Sequence, residues 1–141
     1  METKPQVLVL DDEGLVGKRL TSVLGRIGCD VEAFDNPQEA LRRTDEKEFD
    51  IVVTDVVMGD VDGIQVLERV HAASPRTRVI LITAYAMMSM ARRAMERGAY
   101  DFVAKPFRPE EIREVVLRAA RELGFELNEV EPGEANSNEA P

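Results

Sequence analysis

Five short runs of β-branched and aliphatic residues alternate with amphipathic helical stretches, and this alternation constrains the fold more than any other feature of the chain. The runs fall at residues 7–10, 31–34, 51–54, 79–83 and 101–104. Between them, apolar side chains recur at helical spacing. Val16, Leu20, Val23, Leu24 and Ile27 mark the first helix, which Gly28 closes. Asn36-Pro37-Gln38-Glu39 reads as N-cap, proline at N1 and glutamate at N3 of a second. Ile64, Leu67 and Val70 face inward from a third over residues 62–73, and a fourth spans about 87–97 before Gly98. Pro109, with Glu110 and Glu111 in the first turn, opens a fifth, whose stripe is Ile112, Val115, Val116, Ala119 and Leu123. Repeated β–α pairs predict an α/β fold, a five-stranded parallel sheet flanked by five helices on its two faces. Strands one, three and four are apolar on both sides of the alternation, as central strands must be. Strand two, with Glu32 and Phe34, reads as an edge.

Parallel strands bring their carboxyl ends to one edge, and the residues there are not random. Asp11 and Asp12 follow run one, Asp55 follows run three, Thr83 ends run four and Lys105 follows run five. Open sheets of this kind bind ligands beyond those ends, where the strand order reverses. In the order 2-1-3-4-5 the reversal lies between strands one and three, where the carboxylates sit. Three neighbouring carboxylates raise one another's pKa unless a counter-ion is present. A hard divalent cation with oxygen preference, Mg²⁺ or Mn²⁺, removes that cost.

Asp55 is then the best nucleophile, since a carboxylate can attack phosphorus to give an acyl phosphate. The cation and Lys105 would spread the charge developing on the phosphoryl oxygens, and Thr83 offers a hydroxyl to the same group. A single aspartate at a strand end would more simply terminate the strand or cap a helix. Thr83 alone would be structural, and Lys105 alone a solvated charge. Their convergence favours the chemical reading. Lys105-Pro106 further suggests a constrained turn, a candidate cis peptide.

The chain of 141 residues suits one domain with a real core. No apolar stretch approaches the ~20 residues that span a bilayer, and METKPQ is no signal peptide. The single cysteine, Cys29, reads as a small apolar residue, which points to a reducing cytoplasm. The net charge of −9 is uneven: residues 122–141 hold six Glu and no Lys or Arg, leaving −3 on the rest. A fold this close to neutral is not expected to bind nucleic acid directly, because that depends on cationic groups neutralising phosphates. From Gly124 onward periodicity fades and Glu, Asn, Gly and Pro take over. Residues 1–123 therefore read as the folded domain, and 124–141 as an acidic disordered tail or the start of a linker.

Four segments together carry a family resemblance: DDE after strand one, Asp55 with M-x-x-x-DG behind it, Thr83-Ala84, and GAYDFVAKPF. They resemble the receiver domain of bacterial two-component response regulators, with all landmarks in order from residue 5 to about 123. The resemblance implies a flavodoxin-like sheet and a phosphoacceptor that assists its own phosphorylation and dephosphorylation rather than a separate enzyme. It implies that Asp55 takes a phosphoryl group from the phosphohistidine of a sensor histidine kinase or a histidine phosphotransfer protein. Asp12, Asp55 and the Val57 backbone carbonyl would hold Mg²⁺, with Asp11 assisting. Thr83, Ala84 and Lys105 would contact the phosphoryl group, and Phe102 matches the aromatic switch position. The face of helix four, strand five and helix five is then the expected surface for partners or for a homodimer.

Some positions depart from the family's pattern. Gly59 stands where proline is usual, so a looser loop after Asp55 is expected. Val57 and Tyr85 flank the site, and neither can deliver a water, which predicts slow self-dephosphorylation. Helix four carries Met87, Met88, Met90 and Met95, which suit core filling or a partner surface. Its Arg92, Arg93 and Arg97 read as a solvated face. An aspartate-nucleophile phosphatase is disfavoured, because such hydrolases usually need a second aspartate where Val57 stands. A vestigial, non-phosphorylated scaffold would not need the full Asp11, Asp12, Asp55, Thr83 and Lys105 set. A flavin protein is disfavoured because DDEG is no phosphate cradle.

Overall fold

The computed structural model describes residues 4–127. Five strands, β1 (Gln6–Leu10), β2 (Asp30–Phe34), β3 (Ile51–Asp55), β4 (Arg78–Ala84) and β5 (Asp101–Lys105), form one parallel sheet in the order β2-β1-β3-β4-β5. The helices between and after them are α1 (Gly14–Arg26), α2 (Pro37–Glu46), α3 (Gly63–Ala73), α4 (Met88–Glu96) and α5 (Pro109–Glu122). This is the flavodoxin-like arrangement that the β–α alternation and the resemblance predict.

Strand alternation sorts the core into two layers. Val7, Val9, Ile51, Val53, Ile80 and Ile82 point to one face, against Leu20, Val23 and Leu24 of α1 and Ile112, Val115 and Val116 of α5. Leu8, Leu10, Val52, Val79 and Leu81 point to the other, against Ala40 of α2, Ile64, Leu67 and Val70 of α3, and Ala94 of α4. Each such aliphatic side chain contributes ~1.5–3 kcal/mol on full burial. β1, β3 and β4 are covered on both faces, which is why their central positions are apolar on both sides of the alternation.

The two edge strands are half-exposed. On β2, Glu32 accepts from Arg43 Nε at 2.8 Å and pairs with Lys47 Nζ at 3.2 Å. Charges placed there discourage pairing with another strand. At the amino end of the sheet the buried Asp50 accepts the Gln6 backbone N–H at 2.7 Å and Arg76 Nη2 at 2.6 Å. That carboxylate satisfies a strand N–H that has no ladder partner.

Local signals set the helix starts. The Asn36 side chain accepts from Glu39 N–H at 3.0 Å, with Pro37 following it at N1. Asp62 and Gln65 close a capping box on α3 at 2.9 and 2.8 Å, so Asp62 is the cap rather than the first helical residue. The fourth helix begins with a 3₁₀ turn, Tyr85–Met87, before α4 proper. Met87 and Met90 are partly buried against the α2–α4 layer, whereas Met95 is exposed.

After α5, Phe125 and Leu127 pack against the α1–α5 layer, and Phe125 N–H reaches Ala120 O at 3.0 Å. Two isolated apolar side chains carry no period, so the sequence pattern alone ends the packed chain at 123. Most of the expected acidic tail, from residue 128 onward, lies outside the described residues. Among the described residues no helix is long and apolar enough to cross a membrane.

Candidate functional site

Strand register builds the site. Leu10 pairs with Thr54, so Asp11 and Asp55 extend from adjacent strand ends. On the other side of β3, Asp55 pairs with Ile82, one residue before Thr83, and Ala84 pairs with Lys105. One carboxylate oxygen from each of Asp11, Asp12 and Asp55 lies within 4.8 Å of the others. All three aspartates named from the sequence therefore meet, with Lys105 beside them.

Asp11 is fully buried. Its Oδ1 accepts Glu13 N–H at 2.8 Å, while Oδ2 lies 3.0 Å from Lys105 Nζ without an aligned donor. Charge contact is present there, but the hydrogen-bonding capacity of that oxygen is unused. Burial pushes the Asp11 carboxyl above its ordinary range, opposed by the Glu13 amide and the Lys105 ammonium. Lys105 Nζ also donates to Asp55 Oδ2 at 3.1 Å and to Glu13 Oε1 at 3.3 Å. Desolvation alone would lower the Lys105 pKa, but Asp11 and Asp55 together outweigh it and hold the group firmly protonated.

Three carboxylates thus surround one ammonium, with Asp12 beside them, and the cluster retains net negative charge. The donor set is all oxygen, and a buried carboxylate oxygen lacks a hydrogen bond. Both features fit a hard divalent cation. Glu13 was not singled out by spacing, because its carboxylate lies off the strand ends. The third acidic letter of the DDE motif was its only sequence signal.

The backbone behind Asp55 is tightly held. Val57 N–H points to Asp55 Oδ1 at 3.4 Å, and Thr54 Oγ1 donates to the Asp55 carbonyl at 3.0 Å. Val57–Met58 and Val61–Asp62 pair antiparallel across Gly59-Asp60. Gly59 has φ +60°, the positive value that the first central position of a type II′ hairpin turn demands. The segment after Asp55 is therefore a closed ribbon and not the looser loop expected from Gly59.

Gly63 N–H donates to Val56 O at 2.7 Å. A Cβ on Gly63 would stand 3.0 Å from both the Asp55 carbonyl oxygen and Val56 Cα. The helix start presses directly on the backbone of Asp55 itself.

Thr83 is fully buried, and its hydroxyl donates to Ala84 O at 3.1 Å rather than to the carboxylates. Phe102 is half-buried on the α2–α4 side of the sheet, paired in register with Leu81. Alternation from Leu81 puts Thr83 on that same side. The Lys105-Pro106 peptide is cis. Val57 and Tyr85 are exposed, at 44% and 77%.

Residues 7–117 match the family model of the response regulator receiver domain. The chain is 34% identical over 113 residues to the DNA-binding transcriptional regulator NtrC of Azospirillum brasilense, covering 80% of this chain and 24% of that protein. It is 35% identical over 114 residues to the regulatory protein AtoC of Escherichia coli (strain K12), covering 81% and 25% respectively. The chain spans about a quarter of the length of these relatives. Among solved structures, a response regulator receiver domain protein from Clostridium thermocellum superposes with a TM-score of 0.80 at 26% identity. That match covers 84% of this chain and 96% of the other. Sheet order, site geometry and these matches agree: the chain belongs to the response regulator receiver domain family.

Proposed function

We propose that this chain is a phosphorylated signalling switch in which Asp55 accepts a phosphoryl group from the phosphohistidine of a sensor kinase or phosphotransfer protein. The observation that carries the reading is the meeting of Asp11, Asp12 and Asp55 with Lys105 at one sheet edge. In the transfer, an Asp55 carboxylate oxygen bonds to phosphorus while the phosphorus–imidazole bond breaks, and the imidazole leaves with that electron pair. Asp11, Asp12, Asp55 and the Val57 carbonyl would hold Mg²⁺ or Mn²⁺. Such a cation supplies charge neutralisation between the carboxylates and the phosphoryl oxygens.

The chain's own residues do the rest. Lys105 already touches Asp55 and can follow the phosphoryl oxygen. The Thr83 hydroxyl must leave the Ala84 carbonyl to reach the same group. Its movement would open space on the side of the sheet that carries Phe102, coupling the site to α4, β5 and α5. Inverting a 1:99 population to 99:1 needs ~5.5 kcal/mol of differential stabilisation. A few charge-assisted hydrogen bonds of ~1.5–3 kcal/mol each reach that figure.

The α4–β5–α5 face is the proposed surface for a partner or a second copy. A reducing cytoplasm suits the chain, since Cys29 is buried and its thiol is pushed up to about 12 by that burial. Residues 1–123 serve as the phosphoacceptor unit in this reading.

Intact mass after incubation with Mg²⁺ and acetyl phosphate tests the proposal. A metal-dependent gain of one phosphoryl group, absent in Asp55→Asn and in chelator, is the expected result. No gain with any donor, or an unchanged gain in Asp55→Asn, overturns it.

A further inference from the structure

Lys105 has three carboxylate neighbours, and one of them stands outside the metal cluster. Nζ lies 3.0 Å from Asp11, 3.1 Å from Asp55 and 3.3 Å from Glu13. Asp11 and Asp55 belong to the set able to share a cation, whereas Glu13 does not. Once a cation and a phosphoryl group engage the inner carboxylates, those oxygens are no longer available to the ammonium. Glu13 remains available. Its backbone is held on both sides: its N–H donates to Asp11 Oδ1 at 2.8 Å, and its carbonyl accepts Val16 N–H at 3.0 Å and so begins α1.

Beside it runs a groove of about 300 Å³, lined by Glu13, Val16, Arg19, Lys105, Pro106 and Phe107. The Lys105 side chain therefore has room to swing toward Glu13 and away from Asp55. The cis turn at Lys105-Pro106 forms the opposite wall of this groove.

From this placement we infer that Glu13 is a positioning residue that competes with the phosphoryl group for Lys105, drawing the ammonium outward and restraining phosphorylation of Asp55. The inference rests on the proposed phosphoacceptor role. The Glu13 carboxylate touches neither the reacting carboxylate nor the metal set, and its side-chain variants keep the backbone N–H bond to Asp11, so the influence of the side chain passes through Lys105. An exposed ion pair of this kind changes an equilibrium by about two- to fivefold.

The test is a double-mutant cycle on the full chain, read as the rate of phosphoryl gain from acetyl phosphate at saturating Mg²⁺. Glu13→Gln should raise the rate about two- to fivefold, and Glu13→Asp should lie nearer wild type. In a Lys105→Met background, where residual phosphorylation is slow, Glu13→Gln should change nothing. An equal acceleration in both backgrounds overturns the inference, because the effect is then simple repulsion between Glu13 and the anionic donor. No acceleration in the Lys105 background of the wild type overturns it as well. Absence of phosphorylation in the wild-type chain would instead sink the phosphoacceptor reading, so the two failures are distinct. Glu13 is exposed, and circular dichroism will confirm that its variants keep the fold.

Discussion

Gly63→Ala is the sharpest structural perturbation of the site that leaves every polar group in place. The added Cβ would lie 3.0 Å from the Asp55 carbonyl oxygen, 3.0 Å from Val56 Cα and 3.2 Å from Leu81 Cδ2. Leu81 ends in a flexible methyl and can yield. The other two atoms are backbone, and one belongs to Asp55, the proposed phosphoacceptor. Overpacking of this kind costs ~1–3 kcal/mol. The helical gain of alanine over glycine, at most ~1 kcal/mol inside a helix, is smaller at the first helical residue. The net loss is then ~1–2 kcal/mol, or roughly 3–12 °C in melting temperature for a domain of this size.

Relief of the clash moves the Asp55–Val56 backbone by a few tenths of an ångström. Since ~1 Å of misplacement can cost a hundredfold in rate, phosphorylation should slow by about two- to tenfold. Gly25→Ala is the matched control. It lies on the exposed side of α1, one residue from its end, with nothing within 4 Å of its Cβ position, and it should gain up to ~0.5 kcal/mol. Thermal melts followed by circular dichroism give the stabilities, and mass-resolved phosphorylation gives the rates. Opposite signs at the two glycines are expected. If Gly63→Ala melts with wild type and phosphorylates at the same rate, the tight approach to Asp55 has no energetic consequence and the reasoning fails.

Three further outcomes follow from the same geometry. Burial raises the Asp11 carboxyl pKa above its ordinary 3.8, so the metal-free fold loses stability as pH rises from that value through the raised one. Asp11→Asn should therefore melt higher than wild type at pH 7 without metal, yet lose the Mg²⁺-induced rise, ~2.7 kcal/mol at a hundredfold excess over Kd; equal Mg²⁺ shifts in both proteins would contradict this. The exposed Val57 cannot orient a water, so the Asp55 acyl phosphate should persist well beyond seconds, and Val57→Asn should shorten it; decay followed by intact mass after chelation decides, and a wild-type lifetime of seconds refutes it. Asp50→Ala strips the acceptor from the Gln6 N–H and the partner from Arg76, and should cost ~1–3 kcal/mol in urea unfolding while leaving the phosphorylation rate of the folded protein unchanged.

What could be read from the sequence is what depends on period and position along a strand. The apolar runs fixed five strands and their central or edge places, because burial on both faces removes the polar alternation. Parallel topology then converted sequence-distant Asp11, Asp55, Thr83 and Lys105 into neighbours, with no information beyond strand ends needed. Boundaries moved by a residue where caps decided them, as at Asp62. The ribbon after Asp55 escaped notice because each of its strands is only two residues long, although Gly59-Asp60 is a recognisable hairpin turn. Glu13 and Leu127 were missed for a different reason. Their contacts depend on where one side chain falls in space, and no periodicity reports that.

The geometry of the site suits the proposed switch better than a structural anchor. One ammonium is shared among Asp11, Glu13 and Asp55, an oxygen of Asp11 makes no hydrogen bond, and Thr83 is turned to the Ala84 carbonyl. No partner in this arrangement is exclusive. A cation and a phosphoryl group each offer the same side chains a stronger interaction, and accepting it requires Lys105 and Thr83 to release what they hold. Both residues sit at the carboxyl ends of β4 and β5, whose register carries Phe102 two pairs below Thr83. In the proposed switch the energy gained at the ligands would therefore be delivered to the two strands that border α4 and α5. A site with fully satisfied groups would bind without moving anything. In the proposed switch, incomplete satisfaction of these groups would give the ligand a differential affinity to act with.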